Sequence, residues 1–218
     1  MRPLPHLATL ALGIAPVIAP ALAAAETNDE ITMGSSIRAL RSDSANAVTS
    51  DSLGGGHLGY ARELPIDLVP GLHLWATAGL GWGNATGMLF GTMTTEIDTV
   101  ALTAGGRAVY TLHPNLAVSG RLELGSARTE LTLDDTLSDA AWAGVASSAV
   151  AVDLALLARP QIAIGLRFEL GYVTATAPAL APRGPREEDT IVLPEMPSSF
   201  GSLDLGGRYV SFSLLTRF

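Results

Sequence analysis

The chain has 218 residues, of which 48% are hydrophobic and only 16% charged, with 23 glycines and no cysteine. Its 13 basic residues are all arginine and stand against 21 acidic ones, a formal net charge of −8 that argues against a nucleic-acid partner. Without cysteine neither a disulfide scaffold nor a thiolate metal site is available, and so apolar a composition needs either a large dry core or a face turned to lipid.

At the amino terminus Met1 and Arg2 form a minimal positive start, residues 7–19 are apolar, and Ala21, Leu22, Ala23, Ala24 and Ala25 give the small-residue spacing that a signal peptidase cuts. Pro16 and Pro20 interrupt the apolar stretch, which favours a removed signal peptide over residues 1–25 and not a permanent anchor. Residues 26–218 are then expected to form a single domain outside the cytoplasm.

From Ile31 onward the residues alternate with a period of two, the pattern of half-buried strands. A first strand over 31–41 sets Ile31, Met33, Ile37 and Ala39 against Thr32, Gly34, Ser36 and Arg38, and a polar loop over 42–52 follows. The second strand, 53–64, is the poorest. Gly54, Gly55 and Gly56 weaken it, and Arg62 shares the parity of Leu58 and Tyr60, which predicts a bulge. After a turn over 65–71, Leu72, Leu74, Ala76, Ala78, Leu80 and Trp82 alternate with His73, Trp75, Thr77, Gly79 and Gly81 in the third strand.

A loop over 84–96 precedes the fourth strand, 97–112, and His113, Pro114 and Asn115 make a tight turn into the fifth, 116–131. An acidic loop over 132–140 leads to the sixth strand, 141–157. That segment is apolar enough for a membrane helix to be its rival. However, Val150, Val152, Leu154 and Leu156 alternate with Ala149, Ala151, Asp153 and Ala155, which puts its one charge on the inward parity of a strand. Arg159, Pro160 and Gln161 form a short turn into the seventh strand, 162–172, and the longest loop, 178–202, leads to the last, 203–218.

Short connections alternate with long polar ones, and the strands are long enough to cross hydrocarbon when tilted. The expected fold is all-β, an eight-stranded antiparallel up-and-down transmembrane β-barrel, whose closure leaves no unpaired edge in lipid. In the final strand Val210, Phe212, Leu214 and Phe218 share one parity, opposite Tyr209, Ser211, Ser213 and Arg217. This strand resembles the closing strand of bacterial outer-membrane β-barrels, departing from it at Thr216, where a bulky apolar residue is usual. Nearly all of the mature chain is similar to the small eight-stranded barrels of the OmpA/OmpX type. The resemblance implies residence in the cell outer membrane, contact with outer-membrane lipids and lipopolysaccharide, and a monomer. It also implies that Val210, Phe212, Leu214 and Phe218 form a signal read by the barrel-assembly machinery.

Parity places Arg38, Glu63, Arg107, Arg121, Glu123, Asp153, Arg167 and Glu169 inside, with Arg217 on the same side of its strand. A barrel of this size is only wide enough for its side chains to fill it, and buried charges need partners, so these residues are expected to form an ionic plug. If Arg159 to Gln161 is a three-residue connection, residues whose numbers sum to 320 face one another, and Asp153 meets Arg167.

No cofactor is expected. Asp134, Asp135 and Asp139 read as a solvated loop and not as a calcium site, and the glycines from Gly79 to Gly83 lack the strand-to-helix context of a nucleotide loop. His57, with Ser50, Asp51 and Ser52 near it in sequence, is the one group similar to the His, Ser and acid of lipid A-modifying barrels. The function expected is that of a non-enzymatic, structural or surface-exposed barrel with external loops available for contacts. A small channel or carrier of small or hydrophobic solutes is the alternative, and a lipid A-modifying enzyme the third reading. Charges on most inward faces disfavour a greasy lumen.

Overall fold

The computed structural model describes residues 29–66, 69–89, 91–134, 137–159, 162–178, 180 and 203–218. The expected signal peptide and most of the loop over 178–202 lie outside the described residues. Eight strands follow one another: β1 (Asp29–Leu40), β2 (Ser52–Leu64), β3 (Leu72–Leu89), β4 (Met93–His113), β5 (Leu116–Leu133), β6 (Leu137–Arg159), β7 (Ile162–Ala175) and β8 (Gly207–Arg217). Each pairs antiparallel with the next, and β8 returns to β1, so the sheet is a closed barrel. Residues 140–158 are strand, and no helix among the described residues is long and apolar enough to cross a membrane.

The outer wall carries Met33, Leu122, Leu124, Val150 and Phe212, all exposed, while the inner parity is small, polar or charged. Cross-strand pairing lines up Trp82, Val100, Arg128 and Trp142 across β3 to β6, with both tryptophans exposed. Such a row marks where an apolar belt meets water. Beyond it the outward residues become Asn84, Thr86, Glu96, Asp98, Glu130 and Thr132, and the strands continue upward.

The expected loops over 84–96 and 132–140 are therefore mostly strand, paired from Asn84 and Asp98 out to Leu89 and Met93 and from Thr95 out to Leu133. Their polar composition comes mainly from the outward half. On the inward half, beside Thr95 and Asp139, the residues Ala85, Leu89, Ile97, Leu131 and Leu133 are apolar and buried.

These inward residues close around a short helix, α1 (Asp43–Val48), in the segment expected to be a plain polar loop. Ala45 and Val48 of the helix join Leu40, Leu53, Leu180, Leu203 and Leu205 in one apolar cluster that stoppers this end of the barrel. Thr95 Oγ1 donates to the Val48 carbonyl, and Gly87 lets the backbone pass so close to Val48 and Thr49 that a Cβ there would collide with both.

No bulge interrupts β2, whose pairings with β1 and β3 run without a break. Arg62 keeps the outward parity and needs no repair, because it stands at the short-turn rim beside Asp29 at 3.9 Å, with Tyr60 Oη donating to Asp29 Oδ1 at 2.8 Å. The bulges lie elsewhere, between Thr111 and His113 and between Ala155 and Leu157. The second one corrects the expected connection into β7. Arg159 pairs with Ile162, so the link is the two residues 160–161, which lie outside the described residues. The extra residue at the bulge then restores the register in which Asp153 stands opposite Arg167.

Barrels of this type put short turns on the periplasmic side and longer connections outside. A single cysteine at Thr92, in the turn between β3 and β4, should react with an impermeant maleimide on intact cells, and one at Asn115 should react only after permeabilisation. The reverse pattern would invert the molecule in the membrane.

Candidate functional site: the charged barrel interior

Two layers of charge cross the lumen. In the layer nearer the short turns, Glu30 of β1 is the hub, its side chain fully buried at 0% exposure. Its Oε1 accepts from Arg107 Nη1 at 2.6 Å and Arg167 Nη1 at 2.9 Å, and its Oε2 accepts from Arg217 Nε at 2.8 Å and Arg167 Nη2 at 3.2 Å. Asp153 takes the other edge of Arg167, accepting from Nε and Nη2 at 2.7 Å each, and also from Arg217 Nη2 at 2.9 Å. Arg107 and Arg217 lie over the Trp75 ring, 5.0 and 5.4 Å from its centroid. Arginine suits this place because its planar fork holds two carboxylates at once and stacks on an aromatic face.

In the second layer Arg121 bridges Glu169, at 2.6 Å from Nη2, and Glu123, at 3.0 Å from Nη1. Tyr209 Oη donates to Glu169 Oε1 at 2.6 Å and accepts from Arg121 Nη2 at 3.0 Å. Its ring lies against Gly171, where a Cβ would strike it. Thr77 and Thr103 donate to the two oxygens of Glu123 at 2.8 and 3.0 Å. The hydroxyls and the guanidinium thus fill the lone pairs that burial would otherwise leave bare.

Arg107, Arg121, Glu123, Asp153, Arg167 and Glu169 therefore meet in these layers, together with Arg217. Arg38 does not. It points toward the α1 end, where its Nη1 donates to the Leu205 carbonyl at 3.2 Å, and no carboxylate among the described residues pairs with it. Glu63 stands at the short-turn mouth, its Oε1 2.6 Å from His73 Nδ1. The hub itself, Glu30, is absent from the sequence-based set, because a first strand begun at Ile31 stops one residue short of it. Its signal was available, since Glu30 shares the parity of Thr32, Gly34, Ser36 and Arg38.

His57 faces the lumen, with Nε2 2.8 Å from Ser213 Oγ, while Ser50 and Asp51 lie at the α1 mouth. The histidine, serines and acid noted in the sequence are thus not assembled as a catalytic group. Val210, Phe212, Leu214 and Phe218 are exposed together on the outer wall.

No protein-family model matches the chain, and no curated protein sequence does. Solved structures do match. A major outer membrane protein from Thermus thermophilus is 12% identical, with a TM-score of 0.52, over 89% of this chain and 100% of that one. The attachment invasion locus protein Ail of Yersinia pestis is 12% identical over the same shares, with a TM-score of 0.47. Neisserial surface protein A is 7% identical, with a TM-score of 0.41, over 88% of this chain and 94% of that one. At this identity the likeness to the Thermus thermophilus protein shows the fold alone, and that fold is the eight-stranded up-and-down β-barrel.

Replacing Asp153 by Ala strips Arg167 of its bidentate partner and should cost on the order of 3 kcal/mol, because a buried charge loses its counterion. The double variant Asp153→Ala with Arg167→Met should cost much less than the two single changes added together. Urea unfolding in lipid vesicles measures the cycle, and strict additivity would show that the pair carries no coupling.

Proposed function

We propose that this protein is a non-enzymatic barrel of the outer membrane whose lumen is closed and whose contacts are made from its outer wall and its α1 end. The observation that carries the reading is the pair of ionic layers spanning the lumen beneath an apolar stopper. A permeating ion would have to break buried, bidentate ion pairs and then pass a dry cluster of Leu, Ile, Val and Ala side chains. A hydrophobic solute would meet charge first. Neither route favours a channel or a carrier, and the separation of His57 from Ser50 and Asp51 gives no support to lipid A chemistry.

The apolar belt ending at Trp82 and Trp142 fits outer-membrane lipid, with lipopolysaccharide meeting the polar strand extensions above it. A barrel whose strands are all paired within one chain needs no second copy, which supports a monomer. Val210, Phe212, Leu214 and Phe218 fit an assembly signal because all four share the lipid-facing parity of the closing strand.

In planar bilayers the purified barrel should leave the membrane silent, and steady single-channel currents would replace the plug by a pore. Truncation of Phe218 should lower the yield of heat-modifiable, folded barrel in outer-membrane fractions. An unchanged yield would remove Phe218 from the signal.

A further inference from the structure

A luminal cavity of about 150 Å³ runs from the ionic layers, where Arg121, Arg167 and Glu169 line it, toward the stopper at Leu53, and residues of all eight strands wall it. At roughly 30 Å³ per water it has room for about five waters, or for a small ion with part of its hydration shell. Its wall carries three guanidiniums, Arg38, Arg121 and Arg167, against two carboxylates, Glu123 and Glu169. Arg38 and Arg121 both line it, and each has a buried Nε with no protein partner among the described residues. The hydroxyls of Ser36 and Ser211 also face the cavity, and among the described residues they make no hydrogen bond.

The charge of the lumen points the same way. Arg107, Arg121, Arg167 and Arg217 are matched by Glu30, Glu123, Asp153 and Glu169, every one of them engaged in an ion pair. Arg38 is the further cation, and no described carboxylate answers it. Asp204, next in sequence to the carbonyl that Arg38 holds, commits its Oδ1 to the Gly206 amide at 2.7 Å. A half-buried guanidinium with no counter-charge among the described residues is costly.

We propose that this cavity binds one small monovalent anion, of the size of chloride, against the Arg38 guanidinium, with the Ser36 and Ser211 hydroxyls completing its shell. One negative charge beside Arg38 supplies that guanidinium with a local counter-charge, since Glu63 stands at the opposite, short-turn mouth with His73. The carboxylates of Glu123 and Glu169 on the floor repel the ion and hold it at the Arg38 side. The apolar cluster of Ala45, Val48 and Leu203 stands on the α1 side of the site. The site is independent of whether the external surface makes any contact.

Bromide supplies the test, because it substitutes for chloride and scatters anomalously. The full mature chain, refolded and crystallised with bromide as the only halide, should show an anomalous peak within hydrogen-bond reach of the Arg38 guanidinium. That peak should vanish in Arg38→Gln. At constant ionic strength, the urea midpoint of the wild type should fall when chloride is replaced by gluconate, which is too large for the cavity. Arg38→Lys, which keeps the charge, should retain that dependence, and Arg38→Gln should lose it. Absence of the peak in the wild type overturns the proposal. So does a peak that survives in Arg38→Gln, or a wild-type midpoint indifferent to the anion.

Discussion

Glu30 is buried among three guanidinium groups, and this charged knot is the constraint that the strand arrangement must satisfy. A carboxylate this far from water is tolerable only when its oxygens are fully engaged, and the four hydrogen bonds from Arg107, Arg167 and Arg217 engage them. The partners come from β4, β7 and β8, and Asp153 of β6 completes the group, so one charge ties the first strand to the far side of the barrel. Glu30 and Arg217 also stand directly opposite each other where β8 meets β1, so the seam that closes the barrel carries an ion pair. Such pairs add little net stability compared with a dry apolar core, yet they fix register. A one-residue slip would turn Arg or Glu side chains into lipid, at roughly 2–4 kcal/mol for a basic residue at mid-membrane.

The same strands obey opposite rules above and below the row of Trp82, Val100, Arg128 and Trp142. Below it, Leu102 and Ala104 of β4 face outward into hydrocarbon and Arg107 faces inward. Above it, Glu96 and Asp98 face outward and Ile97 is buried with 0% exposure. The parity of the apolar residues reverses because the solvent does. In lipid there is nothing to gain by hiding Leu from its surroundings, so the lumen takes the polar groups. In water the hydrophobic effect returns and packs Ile97, Leu131 and Leu133 inside, around α1. The stopper is thus a water-soluble core built on the end of a membrane barrel.

How much of this is legible in the sequence follows from range. The period of two in Leu116 to Leu124, Ile162 to Tyr172 and Val210 to Phe218 is a property of neighbouring residues, and it names the strands, their faces and the inward charges. Strand ends are another matter. The polar outward half of 84–96 and 132–140 has loop composition, and only the burial of its other half makes it strand. Glu30 lies before the alternation becomes visible, because no outward apolar residue precedes Ile31 in β1.

Register and partnership depend on contacts between residues distant in the chain. The bulge between Ala155 and Leu157 offsets a two-residue connection, so Asp153 reaches Arg167 by a route that turn length alone does not show. Arg38 has the same inward parity as Arg107 yet lies near Leu205 instead of a carboxylate. Alternation alone dictates an all-β barrel with a lipid-facing wall and a charged lumen, because the period of two is local and closure is forced by unpaired edges. Contacts between distant strands set which charges meet, where the apolar stopper forms and which guanidinium, Arg38, has no carboxylate partner among the described residues. Those outcomes depend on the tilt and stagger of eight strands, which bring together charged side chains as far as 187 positions apart.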